Sequence, residues 1–183
     1  MLRRSALVQS LVALFLSLNA IGQTPKPVIS SIVNVASYAA GPIAPGEMVV
    51  VFGSGLGPTP LANLQLDNQG KVASTLSDVQ VLFDGIPAPL VYVSQVQIAA
   101  MVPYIVGGRT TSQVRVVYRG TSSDTFPKTV VANAPGIFSA NSSGKGQAAV
   151  SNSSGAANSS VNPAGSSPVR WRCNRSPKEA CFR

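Results

Sequence analysis

The sequence predicts an all-β protein, an antiparallel β-sandwich followed by a low-complexity C-terminal segment. Three observations indicate this fold class. Short runs rich in Val and Ile recur along the chain, Gly, Pro and Asn separate these runs, and no segment beyond the N-terminal one keeps the 3.6-residue period of a helix. Many short strands joined by tight turns are typical of two packed antiparallel sheets.

The N-terminal residues have the features of a secretory signal peptide. A basic start precedes an apolar, uncharged run over residues 6–18, and small residues follow at Ala20 and Gly22. The run is shorter than the roughly 20 residues of a membrane-spanning helix, so a retained anchor is the less favoured alternative. We therefore expect cleavage between Gly22 and Gln23, location outside the cytoplasm or at the cell surface, and no membrane attachment afterwards.

The other strands are organised around the stretch 41–57. Five apolar residues, 48–52, lie there between two clusters of Pro and Gly, which predicts a strand that is buried on both faces or packed at the centre of the sandwich. The glycine-rich residues 53–57 that follow resemble a phosphate-binding loop only superficially. Such a loop must open a helix, whereas Pro58 and Pro60 follow here, so we predict a plain turn.

The remaining strands are predicted in chain order from alternating apolar residues and turn signals. An edge strand is expected first, and Asp84 and Gly85 mark a hairpin turn. The predicted strands are 27–35, 47–52, 78–83, 90–93, 96–102, 112–119 and 126–132, with a short candidate at 147–150. The side chains expected to face the core are Val79, Val81, Phe83, Val96, Ile98, Ala100, Val114, Val116, Tyr118 and Phe138. Arg115 and Arg119 are expected on one exposed face.

The positive charge of the chain is concentrated at its ends. The formal net charge is +8, but residues 23–168 carry seven basic and five acidic side chains, whereas residues 169–183 carry five basic and one acidic. A nucleic-acid function needs a basic stripe on a folded face, so we expect no nucleic-acid partner. The only two cysteines, Cys173 and Cys181, lie in this basic tail, and the sequence leaves open whether they pair.

Catalysis is not expected from the residue types present. The chain has no His, and its body has one Glu and four Asp without a catalytic motif, so we predict no enzyme activity and no cofactor. Residues 67–70 faintly resemble the start of a calcium loop, but a turn is the favoured interpretation and no metal site is predicted. A fragment of a carbohydrate-active enzyme with a carboxylate pair is the least favoured alternative.

Seven short motifs, taken together, resemble a known family. They are residues 34–38 (Asn-Val-Ala-Ser-Tyr), 43–47 (Ile-Ala-Pro-Gly-Glu), 52–57 (Phe-Gly-Ser-Gly-Leu-Gly), 81–85, 87–90, 97–104 and 134–138 (Ala-Pro-Gly-Ile-Phe). The chain resembles the uncharacterised C-terminal domain of exported proteins from Solibacter-type acidobacteria. Residues 45–57 are also similar to the opening of immunoglobulin-like domains of the plexin and transcription-factor type. The resemblance implies an immunoglobulin-like β-sandwich and supplies no catalytic residues.

The sequence departs from that resemblance near its C-terminus. Residues 162–165 look like the start of a second repeat, yet 169–183 are polar and basic, so we hypothesise that the reading frame changes near Pro168. The expected organisation is a signal peptide over 1–22, a sandwich over 23–140, a Ser/Asn/Gly-rich segment over 141–168 and the tail.

Two functions are expected for such a molecule. One is a binding or adhesion module at the cell surface, with polysaccharide or an envelope protein as partner, and the other is a structural spacer or export-associated domain. An exposed row of tyrosines on one face would favour binding, because carbohydrate contact needs aromatic platforms, and tyrosines buried throughout would favour the spacer. The sequence leaves the ligand and the oligomeric state open.

Overall fold

The computed structural model describes residues 25–152, 155–159 and 161. Two sheets of five strands each form a sandwich, and every strand pair is antiparallel. The strands are β1 (Val28–Asn34), β2 (Met48–Ser54), β3 (Ala62–Asn63), β4 (Val79–Phe83), β5 (Ile86–Pro87), β6 (Leu90–Val93), β7 (Gln97–Met101), β8 (Thr111–Tyr118), β9 (Thr121–Ser122) and β10 (Phe126–Thr129).

The first sheet has the order β1-β2-β7-β6-β3, and the second has the order β10-β8-β4-β5, with β9 pairing to β8. Strand β1 lies at an edge, as its sequence predicts. Asp84 and Gly85 form a two-residue turn between β4 and β5, since Phe83 pairs with Ile86. The two-residue strands β3, β5 and β9 were not predicted, because segments this short show no period that a sequence pattern can reveal.

The organising strand β2 is central in the first sheet, between β1 and β7. Val49 and Val51 belong to the core between the sheets, and Val50 on the opposite face is equally inaccessible to solvent. Burial on both faces is therefore confirmed. At its end, Gly53 lies so close to β1 that an added Cβ would stand 1.9 Å from the carbonyl oxygen of Val28. A side chain at this position would separate the two strands.

The predicted core faces of β4 and β8 are confirmed, because all six of their inward residues are buried. The prediction that Val96 and Phe138 face the core is wrong. Val96 is 56% exposed, because β7 begins one residue later and Val96 lies in the preceding turn. Phe138 is 57% exposed, because the chain has already left the sandwich after β10. The short strand predicted at 147–150 is reduced to a bridge between Ser139 and Ala148.

Arg115 and Arg119 are both exposed, but only Arg115 lies within β8. Arg119 lies in the turn that follows, and its guanidinium carbon is 5.1 Å from the ring centre of Tyr118. The predicted turn at 67–70 is present. The Asp67 carboxylate accepts hydrogen bonds from the N–H groups of Gln69 and Lys71, and these bonds lower its pKa.

The chain enters and leaves the sandwich at opposite ends. Strand β1 starts beside the end of β2, where Lys26 forms an ion pair of 2.6 Å with Asp124, just before β10. We call this the lower end. Strands β1 and β10 both run away from it, and beyond β10 the residue Val130 bridges to Ile43 in the loop between β1 and β2. That loop and the segment after β10 therefore lie at the upper end.

Candidate functional site

A shallow groove of about 580 Å³ lies at the upper end of the sandwich. One wall is the loop between β1 and β2, and the other is the segment 132–138, through which the chain leaves the sandwich. The lining residues are Asn34, Val35, Ala36, Ala44, Pro45, Gly46, Glu47, Met48, Ala132, Asn133, Ala134, Pro135, Gly136 and Phe138. We call this feature the upper groove.

Asn34, the last residue of β1, holds the walls of the upper groove together. Its Oδ1 accepts hydrogen bonds from the N–H groups of Ala36 (2.9 Å) and Ser37 (3.0 Å) and from the Ser37 hydroxyl (3.2 Å). Its Nδ2 donates to Glu47 Oε1 (2.8 Å) and to the carbonyl oxygen of Ala134 (3.4 Å). One amide therefore connects the β1–β2 loop, the start of β2 and the departing chain.

Glu47 completes this network. Its Oε2 accepts a hydrogen bond of 2.7 Å from the N–H of Ala44, and its own N–H donates to the Ala44 carbonyl oxygen at 3.1 Å. Both carboxylate oxygens thus have partners inside the protein. A carboxylate engaged in this way stabilises a loop and is not positioned as a free general base.

Lys128 is a buried cation beneath the upper groove. It projects from β10 toward the core and is only 9% exposed, and its Nζ donates to the carbonyl oxygens of Ile32, at 3.2 Å, and Gly41. Burial lowers the pKa of this amine, and the negative charge of Glu47 opposes that effect. The lysine therefore joins the edges of the two sheets through main-chain carbonyls, a role that no sequence motif indicated.

Tyr104 stands beside the upper groove as an exposed aromatic ring. It begins the 3-10 turn Tyr104–Val106, whose last residue Val106 is fully buried, yet Tyr104 itself is 78% exposed. The ring packs against Gly46, which has a φ of +77° and lines the groove. An added Cβ at Gly46 would lie 2.7 Å from Cζ of Tyr104. Glycine is required there both for its backbone conformation and for the approach of the ring.

The tyrosines divide between exposed and buried positions. Tyr38 (44% exposed) and Tyr104 face solvent, whereas Tyr92 is half-buried and Tyr118 is buried. Burial raises the pKa of Tyr92, whose hydroxyl accepts a hydrogen bond of 3.0 Å from Gln97 Nε2. The four tyrosines are thus neither buried throughout, as expected of a spacer, nor a complete exposed row, as expected of a binding face.

The carboxylate of Asp84, in the turn between β4 and β5, is also engaged. Burial raises the pKa of its carboxyl, but the hydrogen bond from the Gln113 N–H and the charge of Arg109 outweigh burial, so the net shift is downward. Its oxygens accept hydrogen bonds of 2.8 Å from Gln113 N and from Arg109 Nη1. This carboxylate remains ionised and orders the β4–β5 turn against β8.

The other predicted sites lie outside the described residues. These are the cleavage position at Gly22 and Gln23 and the two cysteines Cys173 and Cys181. Within residues 25–152, 155–159 and 161, no group of three acidic, His or Cys side chains could hold a metal ion. The same part of the chain contains no helix with the length and apolar character needed to cross a membrane.

Comparison with known families identifies the sandwich. The profile of the IPT/TIG domain matches residues 27–131, which is more than half of the chain and includes all ten strands. The chain belongs to the IPT/TIG domain family. Domains of this family are immunoglobulin-like modules, non-catalytic as a class and often used in binding or adhesion. A search of curated proteins found no match to the chain.

The IPT/TIG match ends at residue 131, directly before the second wall of the upper groove. The groove is thus built partly from the matched domain and partly from residues that follow it. Three motifs that are distant in the sequence, at 34–38, 43–47 and 134–138, meet there. The sequence offered these motifs as signs of a family resemblance, and the structure shows that hydrogen bonds join them into one site.

Proposed function

We propose that this IPT/TIG protein is a non-catalytic binding or adhesion module that works outside the cytoplasm, with polysaccharide or an envelope protein as its partner. The observation that carries this proposal is the upper groove, which is open and lined by Phe138, with the exposed ring of Tyr104 against the lining residue Gly46. Loops at one end of an immunoglobulin-like sandwich commonly carry recognition because the sheets hold them rigidly.

The proposed location depends on the signal peptide. The apolar run and the small residues before Gln23 support export, and a core without cysteine is compatible with an oxidising compartment because its stability comes from burial alone. Intact-mass analysis of the exported protein tests the proposal. A mature chain that starts at Gln23 is expected, and a cell-envelope form that retains Met1 would contradict it.

The absence of catalysis is supported by the chemistry of the carboxylates. Glu47 and Asp84 use both of their oxygens in hydrogen bonds within the protein, and the chain has no His to act as a base. A panel of hydrolase substrates, run with the purified protein, tests this part. Turnover that is abolished by Glu47→Ala or Asp84→Ala would overturn it.

A spacer is the second candidate, favoured by the positions at which the chain enters and leaves. Strands β1 and β10 both run from the lower to the upper end, so segments before and after the sandwich are separated by its length. A seven-residue strand spans roughly 23 Å. Binding of the purified protein to glycans or envelope proteins favours the module, and failure to bind any of them favours the spacer.

We also propose a closer family relationship for the chain and a division of the chain into segments. The motifs at 34–38, 43–47 and 134–138 support membership in the exported acidobacterial branch that the sequence resembles. We propose a signal peptide at 1–22, a sandwich within 23–140, a linker or second-repeat start at 141–168 and an out-of-frame tail at 169–183. Resequencing of the gene tests the last point, and an apolar strand encoded in another frame after Pro168 is expected.

A further inference from the structure

We infer that the upper groove binds a neutral oligosaccharide, with Tyr104 as the stacking platform and Asn133 as a hydrogen-bonding partner. The inference rests on the proposed binding function and names the site and the ligand class. It depends on three properties of the groove, which are an exposed aromatic ring beside it, polar groups without a partner in the described part of the chain along one wall, and the lack of an accessible cation.

The ring of Tyr104 is exposed on an anchored backbone turn. Its 3-10 turn is anchored by the buried side chain of Val106 and closed by a hydrogen bond from the Gly107 N–H to the Tyr104 carbonyl oxygen (3.0 Å). The ring lies against the backbone of Gly46, a lining residue of the groove. A tyrosine side chain has only two rotatable side-chain torsions, so it loses little conformational entropy on binding, which suits stacking against the apolar face of a sugar ring.

A second aromatic surface flanks the groove. Phe138 lines it and is 57% exposed, and the adjacent Ile137 is 68% exposed. Phe138 thus lines the groove directly, and Tyr104 lies against Gly46, which lines the same groove. Its volume lies within the range of about 300–1,000 Å³ that is typical of small-ligand sites, so a short oligosaccharide fits better than a single sugar.

The wall after β10 offers polar groups that have no partner within the described part of the chain. The Asn133 side chain lines the groove and forms no hydrogen bond among those residues, and the N–H groups of Asn133 and Gly136 likewise have no acceptor there. An Asn side chain supplies both a donor and an acceptor, which matches hydroxyl groups that can act as either.

The groove offers no accessible cation. Glu47 is the only ionisable side chain that lines it, and both of its oxygens already accept hydrogen bonds. Lys128 is buried, and its amine donates hydrogen bonds to carbonyl oxygens. An anionic polymer would find no counter-charge here, whereas a neutral sugar needs none.

The test is a titration of the mature, full-length chain with cellohexaose, chitohexaose, xylohexaose and mannohexaose, followed by calorimetry and by amide chemical shifts. At least one hexasaccharide is expected to bind, with shifts at residues 45–46, 104–105 and 133–137. Tyr104→Ala should weaken binding by about tenfold or more, and Tyr104→Trp should restore it, because stacking needs only an aromatic face. Asn133→Ala should also weaken binding.

The matched control is Val96→Ala, which removes an exposed apolar side chain at the lower end and should leave affinity unchanged. Circular dichroism verifies that each variant is folded. Saccharide binding that is insensitive to Tyr104→Ala, or binding of an envelope protein without any saccharide, would overturn the inference while leaving the proposed module intact. Failure to bind any saccharide or envelope protein would overturn both.

Discussion

Replacement of Asn34 by Ala tests whether one amide holds the upper end of the sandwich together. Asn34 accepts three hydrogen bonds from Ala36 and Ser37 and donates to Glu47 Oε1 at 2.8 Å. The substitution removes all of these contacts and leaves the Glu47 carboxylate with one partner fewer. The packing of the core is hardly affected, because the side chain lies at the margin of the sandwich and is only half-buried.

The expected loss follows from these contacts. A neutral hydrogen bond contributes about 1 kcal/mol net and one to a charged group about 1.5–3 kcal/mol, but water replaces part of each at a half-buried site. We therefore expect a loss of about 2–4 kcal/mol in the free energy of unfolding. For a sandwich of this size, such a loss lowers the melting temperature by roughly 8–16 °C.

Chemical denaturation followed by circular dichroism measures this loss, with thermal unfolding as a second readout. Asn68→Ala is the matched control, since Asn68 is exposed and its side chain forms no hydrogen bond among the described residues. The control should change stability by less than about 0.5 kcal/mol. If Asn34→Ala were as stable as the control, the hydrogen bonds of Asn34 would contribute nothing measurable to stability. The conclusion that Asn34 holds the walls of the groove together would then be refuted.

Three further changes test other parts of the structure. Gly53→Ala should destabilise by about 1–3 kcal/mol in thermal unfolding, because its Cβ would stand 1.9 Å from the Val28 carbonyl oxygen, and an unchanged melting temperature would contradict the β1–β2 packing. Burial lowers the pKa of Lys128 below its ordinary value of 10.5. At a pH just below 10.5 the unfolded chain therefore binds more protons than the folded chain, so the free energy of unfolding should rise with pH across that window. Urea denaturation should show that Lys128→Met removes this rise, and an identical pH slope in the variant would rule out the lysine as its source. Deletion of residues 169–183 should leave the melting temperature unchanged within error, because the tail lacks the apolar period of a strand, and a fall of many degrees would show that it packs.

The upper groove also bears on how IPT/TIG modules are delimited. The family match ends at residue 131, yet Asn34 Nδ2 reaches the carbonyl oxygen of Ala134, and Phe138 lines the groove. The segment after the last strand is therefore part of the candidate site. A protein truncated at residue 131 would lack one wall of the groove, so binding experiments need the chain through at least residue 138.

The strands could be predicted from the sequence because each strand pattern and each turn signal lies within a few neighbouring residues. Alternating side chains in 79–83 and 111–118 specify which face is buried, and the Asp84 and Gly85 pair specifies a hairpin turn, each within a few residues. The continuous apolar run at 48–52 likewise indicated a central strand. Where the pattern gave no end signal, as at Val96, the boundary was wrong by one residue, which was enough to change the exposure of that side chain.

Only the tertiary structure decided the candidate site. The contacts of Asn34 with Glu47 and Ala134, of Lys128 with Ile32, and of Tyr104 with Gly46 join residues that are 13 to 100 positions apart in the chain. No local period encodes such contacts, because they depend on the order of strands in the two sheets and on where the chain leaves them. The exposure of Phe138 was decided in the same way, since an apolar side chain is buried only if the fold provides a surface to cover it.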